Sequence, residues 1–373
     1  MSQLFSPYSL RGMRLRNRTV VAPMCQYSSI EGLANDWHLV HLGRFAMGGF
    51  GLVILEATGV TAKGRITYGD LGIWSDDHVP GLQRITKFLH AQGAAAGIQL
   101  AHAGRKASSP VPWRSEVPED PQARAAIGYE EWVTQAPSAL AHSPSYAMPE
   151  ALDAAGMDEV KDAFVAAARR ADAAGFDTVE VHAAHGYLLN QFLSPLANQR
   201  TDEFGGPLEN RMRFPLDVIG AVRAAWPQDK PLIVRISASD NHPQGWTLED
   251  SIVFAQRMKA LGVDMVHCST GGFDGGRIKA APLYQVPFAK GVREGADIPT
   301  MAVGLITTAQ DAEAVIAEGE ADLVALARGA LDDPNWPVHA RHALVSNSEA
   351  YALWPDQARD RMRDFDRALG RNG

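Results

Sequence analysis

The sequence predicts an α/β chain folded as one (β/α)8 TIM barrel, and three observations point there. Eight short apolar runs rich in β-branched residues recur along the chain. Segments with apolar residues at helical spacing separate them, and polar side chains collect at the carboxyl ends of the runs. At 373 residues the chain exceeds an ordinary domain, yet α/β barrels of about 250 residues or more form single units, and eight repeats favour closure over an open sheet.

The first strand is expected over residues 18–24 and is followed by a helix from Asp36 to Met47 that stops at Gly48 and Gly49. Phe50 to Ala57 reads as the second strand, Val79 to Ala91 as the next helix, ending at Gly93, and Ala96 to Ala101 as the third strand. A helix is expected from Asp158, with Val160, Phe164, Ala167, Ala168 and Ala171 on one face and a close at Gly175. It leads into the fourth strand, Phe176 to His182. Pro231 to Ser237 forms the fifth strand, and Thr247 begins a helix as an N-cap with Asp250 three positions on. Val263 to Ser269, Pro299 to Val303 and Asp322 to Ala327 complete the eight, with Thr308 opening the helix between the last two.

Two regions break the alternation. Residues 104–150 are rich in Pro, Ser and Ala and too long for an ordinary connection, which marks a capping excursion after strand three. The charged, helix-compatible stretch after Trp354 is either a solvated appendage or a subunit contact. The expected organisation is therefore a barrel over 1–345, with its cap at 104–150, and a C-terminal tail over 346–373.

Composition narrows the function classes. A hydrophobic fraction of 46% with 21% charged residues suits a large soluble core, and no run approaches the ~20 apolar residues of a membrane span. The N-terminus has no basic region followed by a long apolar one, so a cytoplasmic location is expected. A net charge of −8 argues against nucleic acid. Two cysteines, Cys25 and Cys268, are too few for a disulfide framework or a Cys-held cluster.

Barrel strands converge at their carboxyl ends, so polar residues there are the candidates for chemistry. They include Cys25, Gln26 and Tyr27 after strand one, Glu56 and Ala57 on strand two, and Gln99 and His102 on strand three. Strand four runs into His182, His185 and Tyr187, strand five holds Arg235, strand six ends in Ser269 and Thr270, and Gly304 and Arg328 follow strands seven and eight. A single His or Tyr at such a position is more often structural than catalytic. Arg235, inside a run expected to be buried on both faces, needs an anion: either Glu180 on the neighbouring strand or an anionic cofactor. Gly304 and Arg328 stand where these barrels hold phosphate groups, although Arg328 can also pair with Asp332 or Asp333. His182 and His185 have the spacing of a metal pair, but no third ligand stands out. Two imidazoles donating to a carbonyl or phenolate oxygen, with Tyr187 as proton donor, use all three groups without a metal.

Four segments carry a family resemblance: Pro23 to Tyr27 (PMCQY), Gln99 to Lys106 (QLAHAGRK), His182 to Tyr187 (HAAHGY) and Arg200 to Phe214 (RTDEFGGPLENRMRF). Together they resemble the old yellow enzymes, FMN-dependent ene-reductases on this barrel, and Cys25 with Tyr27 is similar to their bacterial thermophilic-like, or xenobiotic-reductase-like, subgroup. The resemblance runs from about Leu4 to Trp336, and its longest motif, Arg200 to Phe214, is its most specific.

The resemblance implies FMN as cofactor, NAD(P)H as reductant, a small activated alkene as substrate and a homo-oligomer, dimer or tetramer, as assembly. It places Pro23, Met24 and Cys25 beside the isoalloxazine, Ala57 and Gln99 at its pyrimidine edge, Arg235 at its N1/C2 side, and Gly304, Ala327 and Arg328 at the phosphate. His182 and His185 would bind the substrate oxygen, Tyr27 would line the substrate side, and Tyr187 would give the proton. The chain departs from the family pattern at Pro207, where serine is usual, and at Ala327, where glycine is common. The tail also lacks the clear tyrosine that accompanies an arginine reaching a neighbouring subunit's site, a role left to Arg359 or Arg361. Two cysteines set the chain apart from the larger iron-sulfur branch of the fold. An aldolase or lyase barrel is disfavoured because no lysine stands at a strand end.

Overall fold

The computed structural model describes residues 2–113, 118–129, 131–273, 278–346 and 348–370. Eight strands close into a parallel barrel in sequence order: β1 (Thr19–Val21), β2 (Leu52–Gly59), β3 (Ala95–Ala101), β4 (Thr178–Ala183), β5 (Leu232–Ser237), β6 (Met265–Ser269), β7 (Thr300–Ala302) and β8 (Leu323–Leu326). Around them lie α1 (Asp36–Met47), α2 (Val79–Ala91), α3 (Ala154–Ala173), α4 (Leu208–Ala225), α5 (Leu248–Ala260), α6 (Val286–Ala296), α7 (Ala309–Ala317) and α8 (Trp336–Leu344).

The helix starts follow from local chemistry. Asn35, Thr247 and Thr308 cap α1, α5 and α7 by accepting backbone N–H groups of the first turn. The helix expected from Asp158 begins earlier, at Ala154, because the Asp153 carboxylate accepts the Gly156 N–H at 2.8 Å. Pro207 fits the start of α4, where no intrahelical N–H is needed.

Alternate residues on the strands face opposite ways, which divides the core in two. Val179, Val181, Val234, Ile236, Val266 and Cys268 face outward against the helices. Inside, the amino end of the barrel is filled by Leu52, Ile54, Ile233, Met265, Met301 and Leu323. An N-terminal hairpin (Tyr8–Leu10 with Met13–Leu15) adds Met13 and Leu15 to this layer. The sequence pattern did not reveal it, since three-residue strands are too short to show a period. Further up, the inward positions turn polar: Gln99, Glu180, Arg235 and His267, then His182, Ser237 and Ser269. The amino end is thus a packed plug and the carboxyl end a site.

The excursion at 104–150 contains a short helix at Pro121–Ala126, and its Gln135–Ala136 pairs with Glu150–Ala151. After Trp354 the chain forms a helix from Asp356 to Ala368. Among the described residues no helix is long and apolar enough to cross a membrane.

Candidate active site

The segment after β4 makes a tight left-handed turn, with φ of 60° at His185 and 71° at Gly186. For a histidine this conformation costs about 1–3 kcal/mol and persists only where its surroundings enforce it. Three elements do so. The His185 N–H donates to Ser237 Oγ at 2.9 Å, its carbonyl accepts from Lys106 Nζ at 2.9 Å, and its Nε2 lies 2.8 Å from Ser269 Oγ. The turn also abuts the loop after β6, where a Cβ on Gly186 would come within 2.2 Å of the Gly272 carbonyl oxygen. Lys106 reaches the same carbonyl at 3.3 Å.

His182, His185 and Tyr187 are brought together as one group. The His182 ring meets those of His185 and Tyr187 edge to face, with centroids 5.1 and 5.0 Å away. Ala184 N–H donates to His182 Nδ1 at 3.2 Å, which puts the ring proton on Nε2. Burial, then the charge of Arg235, holds both imidazoles well below the usual histidine range, so they are neutral. Burial, then the neighbouring Cys25, holds the Tyr187 phenol well above its usual value, so it keeps its proton. Among the described residues no protein group hydrogen-bonds its hydroxyl.

Beneath this group lies a network that the sequence did not reveal. Glu180 is fully buried and accepts from His267 Nδ1 at 2.7 Å and from Gln99 Nε2 at 2.6 Å. Burial works to raise its pKa, but His267 wins and keeps it below the usual carboxylate range. Of the two partners anticipated for Arg235, Glu180 therefore makes its hydrogen bonds elsewhere. Arg235 is 7% exposed, and its Nε is buried with no hydrogen-bond partner among the described residues.

Arg235 instead lines a cavity with Ser269, Gln285, Gly304, Ala327 and Arg328. Gly304 has φ of 131°, and a Cβ there would lie 2.9 Å from the Gln285 Cβ, so the backbone must stay bare. Ala327 has φ of −107° and needs no glycine. Asp333, one of the two acids near Arg328, accepts instead from the Asn335 N–H and His339 Nδ1, and Arg328 has no ion-pair partner among the described residues. Two unpaired guanidinium groups and a bare backbone turn suit a ligand with an anionic ring edge and a phosphate.

The loop after β1 brings Cys25 near Tyr187. Pro23, Met24, Cys25 and Tyr27 are half-buried, with Tyr27 in left-handed backbone at φ of 47°. The Cys25 thiol and Tyr27 hydroxyl are neighbours, and burial pushes both groups upward. Ala57 and Gln99 face the interior as register partners on β2 and β3. Arg359 lies in the C-terminal helix, where it pairs with Asp356 at 2.8 Å and donates to the Trp354 carbonyl. Among the described residues there is no group of three or more His, Cys, Asp or Glu placed to hold a metal ion. Ser237, Gln285 and Lys106 escaped the sequence reading as site residues. Only Lys106 left a signal, as the last residue of the segment beginning at Gln99.

The chain is 49% identical over 349 residues to an NADPH dehydrogenase of Geobacillus thermodenitrificans, covering 93% of this chain and 96% of that one. It is 45% identical over 345 residues to an NADPH dehydrogenase of Bacillus cytotoxicus, covering 92% and 93%. Among solved structures, morphinone reductase matches with a TM-score of 0.76 at 27% identity, over 92% of this chain and 90% of that one. 2-Naphthoyl-CoA reductase matches with a TM-score of 0.80 at 26% identity over 90% of this chain, which spans about half, 51%, of that enzyme. Residues 3–347 match the model of the NADH:flavin oxidoreductase / NADH oxidase family, and the chain belongs to that family.

Proposed function

We propose that the protein is an FMN-dependent ene-reductase that uses NAD(P)H to reduce the C=C bond of α,β-unsaturated carbonyl compounds and related activated alkenes. The observation that carries the reading is the edge-to-face cluster of His182, His185 and Tyr187, together with a cavity walled by Arg235, whose Nε has no partner among the described residues. FMN, when bound, would supply the hydride exchange, taking a hydride from NAD(P)H and giving it to the β-carbon of the alkene.

The chain's own residues do the rest. Arg235 would face the N1/C2 side of the ring system, where its charge favours the electron-rich form, and Arg328 with the bare turn at Gly304 would hold the phosphate. Pro23, Met24, Cys25, Ala57 and Gln99 would complete the flavin bed. His182 donates from Nε2 to the substrate oxygen. His185 Nε2 faces Ser269 Oγ at 2.8 Å, much closer than Ser269 Oγ stands to Gln285 Oε1 at 3.4 Å, and in this reading the Ser269 hydroxyl donates to His185 Nε2. His185 then carries its proton on Nδ1 and gives the second hydrogen bond. Polarising the carbonyl draws electrons from the β-carbon, and charge developing at the α-carbon and oxygen is met by fixed, buried donors. Tyr187 protonates the α-carbon, and Tyr27 lines the substrate side.

The experiment is direct. Purified protein should be yellow, or turn so with FMN, and should oxidise NADPH or NADH only when an enone, maleimide or nitroalkene is supplied anaerobically. A preparation that acquires no flavin spectrum with FMN would sink the reading, and a flavin that NAD(P)H reduces but no alkene reoxidises would leave only a diaphorase.

A further inference from the structure

The register of β2 against β3 slips by one residue. Leu55 pairs with Ile98 and Ala57 with Gln99, so Glu56 has no partner and forms a β-bulge. Without the bulge, Glu56 would be the inward residue beside Gln99. With it, the small Ala57 takes that place, and the carboxyl of Glu56 swings to the loop after β1. There Oε2 accepts the Gln26 N–H at 3.1 Å, while Oε1 is buried with no hydrogen-bond partner among the described residues.

Among the described residues no cation explains this acid. The imidazole of His38, on α1, has its Nε2 3.9 Å from Oε1, but burial holds its pKa at about 4. Its Nδ1 accepts the Asn35 N–H at 3.2 Å. The other ionisable neighbours are Asp70, in the loop after β2, and Cys25, and the Leu71 N–H also faces the carboxyl. Burial first, and then Asp70, holds Glu56 well above the usual carboxylate range. An acid 4% exposed, extruded from the barrel wall beside the Leu71 N–H and accepting the Gln26 N–H, is a costly way to make hydrogen bonds unless the position of the Gln26 N–H matters. The N–H belongs to the residue between Cys25 and Tyr27. The same turn is hung on its far side from the 66–72 segment, where Ser29 N–H donates to the Gly69 carbonyl at 2.9 Å.

We propose that Glu56, placed by the β2 bulge, is a positioning residue that holds the Cys25–Tyr27 turn and thereby sets the Cys25 thiol and Tyr27 hydroxyl at the barrel mouth. The inference rests on reading that mouth as the flavin and alkene site, but its first test does not. Cys268 is fully buried and Cys25 half-buried, so a thiol reagent reports on Cys25 in flavin-free protein.

The variants are Glu56→Gln, which keeps an acceptor for Gln26, Glu56→Asp, which is one methylene too short, and Glu56→Ala, which has none. Iodoacetamide should label Cys25 about tenfold faster in the Asp and Ala variants than in the parent, and within about twofold of the parent in the Gln variant. A Cys25→Ser control removes the signal. If the Ala variant fails to fold, the Asp and Gln pair decides. In holoenzyme, the Asp and Ala changes should raise the alkene KM about tenfold while flavin reduction by NAD(P)H stays within about threefold. Equal labelling in all three variants, or a Gln variant as fast as the Ala variant, would overturn the proposal. A parent protein without flavin or alkene turnover would instead fail the functional reading and leave the labelling result standing.

Discussion

Glu180 Oε2 lies 2.7 Å from His267 Nδ1, and this contact decides the fate of Arg235. Glu180 sits one position before His182 on the inward face of β4, and His182 is in register with Arg235 on β5. With Glu180 hydrogen-bonded to His267 and Gln99, the guanidinium is left for a ligand.

Arg235→Met should therefore move two quantities in opposite directions. Removing a buried cation that makes no hydrogen bond among the described residues should stabilise flavin-free protein slightly, the charge of Glu180 offsetting part of the cost of burying the guanidinium. FMN affinity should fall by more than about tenfold, the loss of one charge-assisted contact. Calorimetry of flavin-free protein and a fluorescence titration with FMN check the pair. A variant destabilised without flavin would show that Arg235 is held by the protein itself.

The neutral histidine pair sets a pH dependence. An ordinary imidazole would gain a proton near pH 6.5 and change its hydrogen bonding to a phenolate or carbonyl oxygen. In the fold the values are depressed, so the neutral forms persist below pH 6.5. The charge-transfer absorption of a phenol bound over the flavin should thus show no inflection near pH 6.5 from the histidines. Converting both to Ala should abolish the band, and its survival would place the oxygen elsewhere. For stability the sign also follows: below pH 6.5 the unfolded chain takes up protons that the folded pair refuses, so this pair favours unfolding as pH falls.

Lys106 bridges two loops through the carbonyls of His185 and Gly272 and lies 5.2 Å from the Tyr187 ring centroid. Lys106→Met keeps most of the aliphatic stem and loses those bonds. We expect a stability loss of about 1.5–3 kcal/mol, typical of a hydrogen bond to a charged group, and a fall in alkene kcat/KM of more than about tenfold because the left-handed turn at His185 loses one of the three contacts that hold it. Thermal unfolding and steady-state kinetics check both.

The barrel was readable because each strand is a local apolar run, because the helices before Gly48, Gly93 and Gly175 carry their own stop signals, and because Thr247 and Thr308 begin theirs through chemistry confined to a few residues. The residues of the strand ends were readable for the same reason, given that barrels gather those ends at one mouth. What lay hidden depends on register. The pairing of Glu180 with His267, 87 residues apart, and the extrusion of Glu56 at a one-residue slip follow from how neighbouring strands align, and no single run encodes that. The contact between Gly186 and Gly272 is of the same kind: each glycine looks like an ordinary loop residue until the two backbones meet.

Tyr187→Phe isolates the proton transfer. The side chains have nearly the same shape, and no protein group among the described residues hydrogen-bonds the hydroxyl, so the change leaves no partner stranded and should cost little stability. A positioned general acid contributes about 100- to 10,000-fold, so alkene reduction should slow by at least about 100-fold. Flavin reduction by NAD(P)H needs no proton from this group and should change by less than about threefold. Stopped-flow measurement of the two half-reactions separates them. Equal losses in both would show that the phenol shapes the site instead of supplying the proton, whereas a solvent isotope effect confined to the alkene half-reaction, and absent in the variant, would tie the transferred proton to Tyr187.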